Sequence, residues 1–93
     1  MNDSNEIDEQ ETNKYNPPDF IDFEHVRLLE AILFASREPI TERVLANRLP
    51  EGANLKAILL NIKNTYSDRG VNLVQTGKSW AFRTSPELAQ LLN

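Results

Sequence analysis

The chain of 93 residues contains no cysteine. Disulfides and thiolate metal sites are therefore excluded. It has one histidine, His25, which cannot build a histidine-based metal site alone. Its three glycines lie far apart, so there is no P-loop and no GxGxxG phosphate cradle. The longest unbroken apolar run is Ala31 to Ala35, far short of the roughly 20 residues that span a bilayer. No membrane association is expected. The N-terminus is acidic and lacks an apolar signal core. The expected location is the cytoplasm.

Catalytic sets are missing too. Ser36, Thr41, Thr65, Ser79, Thr84 and Ser85 have a single histidine to serve them. His25 sits at the start of a helical pattern and reads as a surface or interface residue. Glu38 and Glu42 flank a helix start, where carboxylates suit the positive end of the helix dipole. The sequence thus predicts no enzyme, no cofactor and no metal.

What is present is an ordinary single-domain composition, with 40% hydrophobic and 26% charged residues. The net charge of -4 is unevenly spread. Residues 1–22 hold seven acids against one base, Lys14, a net of -6. Residues 23–93 hold seven acids and nine bases, a net of +2. The acidity belongs to the N-terminal segment, and the nearly balanced body gives no strong signal for or against nucleic acid. Residues 1–22 read as a disordered acidic arm. It ends near Pro17-Pro18 and has too little apolar surface to offset the cost of ordering.

The body, 23–93, reads as a short series of elements. A first helix is predicted from Phe23 to Ser36, with Asp22 as N-cap and Pro39 beyond its end. "ITERVLANRLP" predicts a second helix capped by Thr41, with Ile40 packing back. Leu55, Ile58, Leu59, Ile62 and Tyr66 recur at steps of three and four, which predicts an amphipathic helix from Asn54 to Asp68. Then the period changes to two. Val71, Leu73, Trp80 and Phe82 predict a hairpin around Gly77-Lys78. Ser85 as N-cap, Pro86 and Glu87 start a last short helix. Three helices, a two-stranded wing and a short C-terminal helix make an α+β, mainly α, winged helix-turn-helix domain.

A winged helix raises the question of DNA, because many place the third helix in the major groove. Here the outer face of that helix holds Ala53, Ala57, Leu60, Asn61 and Asn64, with Lys56 and Lys63 on one flank and no arginine. Lys78 at the wing tip and Arg83 add two scattered cations. Such a set supports at most weak DNA contacts at Lys56, Lys63, Lys78 and Arg83. A DNA-binding transcriptional regulator is the second reading, with direct nucleic-acid binding weak or absent.

The first helix carries the stronger signal. On a wheel of about 100° per residue, Val26, Leu29 and Leu33 share one sector. Leu28, Ala31, Ile32 and Ala35 fill another, and Phe23 and Phe34 lie between. A surface helix needs an apolar stripe only about 100° wide. Either the arm and the last helix wrap the surplus, or a second chain covers it.

The order of residues resembles one family. "LLEAILFASREPIT", Leu28 to Thr41, is similar to the opening of ScpB, the bacterial segregation and condensation protein B. The match continues through Arg69-Gly70, Leu73, Gly77, Trp80, Phe82, Arg83, Thr84, Pro86 and Glu87, and covers about residues 24–92. The resemblance implies a non-catalytic winged-helix subunit that binds the kleisin ScpA. Through ScpA it joins the SMC complex for chromosome condensation and segregation, and so associates with the nucleoid. It also implies a homodimer formed by the N-terminal winged helix. Leu28, Leu29, Ile32, Leu33 and Phe34 become candidate dimer-interface or core positions. The family carries two winged-helix domains in tandem, and this chain is expected to hold only the first.

Overall fold

The computed structural model describes residues 21–92. The arm expected over 1–22 lies outside the described residues as far as position 20. At its end, Ile21 packs against the core, and Asp22 caps the first helix.

That helix, α1, spans Phe23–Ala35. The Asp22 carboxylate accepts from the Glu24 amide at 2.9 Å, which satisfies a donor that the first turn leaves free. The helix closes at Ser36, whose hydroxyl donates to the Glu38 carbonyl at 2.8 Å just before Pro39. Ile40–Thr41 then form a two-residue strand, β1. Thr41 also caps α2, Glu42–Arg48, by accepting from the Val44 amide at 3.2 Å. Gly52, at φ 89°, takes the left-handed conformation in the link to α3.

Helix α3 spans Leu55–Thr65, with the Asn54 side chain accepting from the Ala57 amide at 3.1 Å. It stops three residues before the end that periodicity predicts. Side chains take over the carbonyls around its end: the Thr65 hydroxyl donates to the Asn61 carbonyl, and the Asn72 amide donates to those of Tyr66 and Arg69. These bonds favour a turn over further helix.

Strands β2, Val71–Thr76, and β3, Ser79–Thr84, form the hairpin. Thr76 opposes Ser79 across a two-residue turn, and Gly77 at φ 62° supplies the positive φ that such a turn demands. β3 is central in a three-stranded antiparallel sheet of order β1-β3-β2, with Ile40 opposite Trp80. The strand β1 is a finding, since two residues are too few to show a period. Helix α4, Pro86–Leu92, follows. Ser85 takes the expected N-cap position, its carbonyl accepting from the Leu88 and Ala89 amides at 3.1 and 2.9 Å, but its side chain does not cap the helix. Its amide is tied to the Gly70 carbonyl at 2.8 Å, and its buried hydroxyl has no hydrogen-bond partner among the described residues.

This is a winged-helix arrangement. Val26, Leu29 and Leu33 of α1, Leu45 of α2, and Ile58, Leu59 and Ile62 of α3 form its core with Leu73 and Trp80 of the sheet. Each fully buried leucine or isoleucine contributes on the order of 1.5–3 kcal/mol by leaving water.

Candidate interaction surface

Helix α1 has two different sides. Leu29 and Leu33 are 0% and 2% exposed, so these two of the five interface candidates belong to the domain's own core. Leu28 and Phe34 are exposed, at 41% and 49%, and Ile32 is half-buried. Ala31 and Ala35 are exposed beside them. The turn of the helix alone separates the sets, because neighbouring residues differ by about 100°.

On the Ala31 side the surface is concave. Ala31, Ile32, Ala35, Ser36, Ile40 and Arg48 line an open groove of about 390 Å³ between α1, β1 and α2. Most of this lining is apolar. Arg48, in the last turn of α2, is its cation, and it forms no ion pair among the described residues.

Phe34 lies on a different flank. Its ring stacks on Phe82 at a centroid distance of 4.2 Å, and Tyr66 meets both rings edge-on at 5.7 and 5.0 Å. The Tyr66 hydroxyl donates to the Glu30 carboxylate. That bond, with burial and the nearby negative charge, holds the phenol above its ordinary pKa. Phe34 is thus partly occupied within the domain. Periodicity places Tyr66 and Phe82 inward one at a time, but only the fold brings three aromatics from α1, the C-cap of α3 and β3 together.

The candidate DNA contacts lie on two elements, α3 and the hairpin. Lys56 and Lys63 are exposed on α3, beside exposed Leu60, Asn61 and Asn64. Lys78 sits at the hairpin tip, and Arg83 lies five residues on, about 16 Å along a strand rising ~3.3 Å per residue. The tip is also fastened to the helix-turn-helix. The Glu42 amide donates to the Lys78 carbonyl at 2.8 Å, and the Trp80 indole donates to the Glu42 carboxylate at 2.8 Å. Sequence reading of Glu42 as a helix-dipole partner finds half of its role. The bond to Trp80 spans 38 positions and has no local signal.

Among the described residues no group of three His, Cys, Asp or Glu side chains is placed to hold a metal ion. No described helix is long and apolar enough to cross a membrane. What the geometry offers is a largely apolar groove with one cation in its lining and an aromatic cluster on another flank of α1.

Comparison with known proteins fits that chemistry. The chain is 38% identical over 64 residues to segregation and condensation protein B of Desulforamulus reducens, covering 66% of this chain and 35% of that protein. It is 31% identical over 70 residues to a segregation and condensation protein B homolog of Coxiella burnetii, covering 70% of this chain and 34% of the relative. The chain thus spans about a third of the length of these curated relatives. No solved structure matches it. The family model for the segregation and condensation complex subunit ScpB matches residues 27–93. With most of the chain inside that match, the protein belongs to the ScpB family.

Proposed function

We propose that the chain is a non-catalytic protein-interaction and dimerisation module of an ScpB-like subunit. It pairs with a second copy of itself and binds a kleisin of the ScpA type, and through it the SMC complex that condenses and segregates chromosomes. In this reading the protein works at the nucleoid. One observation carries the reading: α1 keeps an open apolar side at Leu28, Ala31, Ile32 and Ala35 after its other side has filled the core. Exposed contiguous apolar surface on a small domain marks an interaction site, and a two-fold contact between identical copies is the commonest way to cover one.

Sedimentation at micromolar concentration, alone and mixed with ScpA, tests this. A dimer that also takes up ScpA is expected. A monomer that leaves ScpA unbound contradicts it.

The DNA-binding reading stays second. The free outer face of α3, with Lys56, Lys63, Asn61 and Asn64 exposed, favours it. The lack of arginine on that helix and the spacing of Lys78 from Arg83 count against it, because several clustered cations are needed to displace phosphate counterions. Tight, salt-sensitive, sequence-selective binding to duplex DNA would move it to first place.

A further inference from the structure

Strand β2 is an edge. In the order β1-β3-β2 it pairs with β3 on one side and with no strand on the other among the described residues. The hairpin register decides which of its backbone groups are free. Thr76 and Ser79 close the two-residue turn and exchange both ladder bonds, and alternation gives the same role to Val74 with Ala81 and to Asn72 with Arg83. The N–H and C=O groups of Val71, Leu73 and Gln75 therefore point away from β3. They have no backbone partner elsewhere among the described residues.

Sheets usually blunt such an edge with lysine, proline or a bulge. The run VNLVQT has no charge and no proline, and its register against β3 is unbroken. Donors and acceptors that repeat every second residue, about 6.8 Å along the strand, are matched by an extended polypeptide.

Charge and chain length narrow the choice of polypeptide. Residues 71–84 hold Lys78 and Arg83 and no acid. Both cations are exposed, and neither forms an ion pair among the described residues. Glu42, which reaches the sheet from α2, is taken by the Trp80 indole. The same edge from a second copy would bring further cations. The stretch NEIDEQET, Asn5 to Thr12, instead holds four acids, no base and no proline. Ile21 packs against the core. The chain from Thr12 to Ile21 can extend about 30 Å, and a domain of this size is about 30 Å across. The stretch is therefore long enough to reach the wing.

We propose that residues 5–12 of the same chain add to the edge of β2 as a fourth strand of the three-stranded sheet. Main-chain bonds to Val71, Leu73 and Gln75 hold it. Its four carboxylates lie along a wing that carries two cations and no acid. One contact then covers the edge and balances the charge of the wing. The assignment is independent of the dimer reading above.

Hydrogen exchange of the intact chain, resolved by residue in NMR spectra, tests it. The comparison is a double variant, Ile7→Pro with Asp8→Pro. Of two adjacent residues one must donate to β2, and proline cannot. The amides of Leu73 and Gln75, which face the free edge, are expected to exchange at least about tenfold more slowly in the native chain than in the variant. Those of Val74 and Thr76, which face β3, are expected to exchange alike in both, so that the wing is seen to stay folded. The protection is expected to persist on dilution, because the added strand belongs to the same chain. Free exchange of Leu73 and Gln75 in the native chain would overturn the proposal. So would protection that survives in the double variant, or that is lost on dilution, since either result gives the edge to a different strand.

Discussion

The two sides of α1 are both apolar and meet different fates. Val26, Leu29 and Leu33 are buried against α3 and the sheet. Leu28, one residue from Leu29, is 41% exposed, and Ala31 and Ala35 are exposed with it. The core side is broad-chained and closed. The outer side alternates one leucine with alanines and borders a groove. Hydrophobic content alone does not separate a core from an interface. The difference lies in what the rest of the chain supplies opposite each side.

That difference can be broken from the core side first. Leu29→Ala and Leu33→Ala are each expected to destabilise the domain by about 2–5 kcal/mol, as buried leucines do when a cavity is left. Urea unfolding measures this, and a change under about 0.5 kcal/mol would place those residues at the surface instead. Next in size is the fastening of the wing. Glu42→Ala removes the acceptor of the Trp80 indole and is expected to cost about 1.5–3 kcal/mol, the range for hydrogen bonds to charged groups. Tryptophan emission reports the same loss by a shift towards the red. Asp22→Ala, which uncaps α1, is expected to cost about 1 kcal/mol in thermal unfolding.

Alkaline pH gives a smaller and distinct effect. The folded chain holds the Tyr66 proton above the ordinary value of 10.0, chiefly through the bond to Glu30. Above that pH the unfolded state has lost the proton while the folded state keeps it. The contribution is full below about pH 10 and fades as pH rises through the folded value. Tyr66→Phe is expected to flatten this fall in a pH series of unfolding midpoints. The smallest effect belongs to the outer side. Leu28→Ala is expected to change the stability of the dilute monomer by less than about 0.5 kcal/mol while weakening self-association.

The sequence makes much of this legible, for a physical reason. Caps at Asp22 and Thr41 act within a few residues of themselves, so local pattern finds them, while Asn54, read as the first helical residue, proves to be the cap of α3. The period of two from Val71 and the glycine at 77 place the hairpin. What is not legible depends on distant partners. Strand β1 exists because Ile40 and Thr41 meet β3, 38 to 40 positions away. Ser85 has the right type for a cap, but Gly70 holds its backbone in a buried setting. Among Leu28, Leu29, Ile32, Leu33 and Phe34, the wheel separates two apolar sectors. Only the position of α3 and the sheet decides which sector is the core. The groove at Arg48 needs α1 and α2 to be set side by side, which no single window of sequence contains.

The measurement that bears most directly on the account is sedimentation equilibrium of the native chain beside a Leu28→Glu variant at micromolar concentration. The account predicts twice the chain mass for the native protein and a single chain mass for the variant, with helicity and unfolding of the dilute variant unchanged. A native protein at the mass of one chain, or a variant that remains dimeric, would contradict the claim that the outer side of α1 is kept for a second copy.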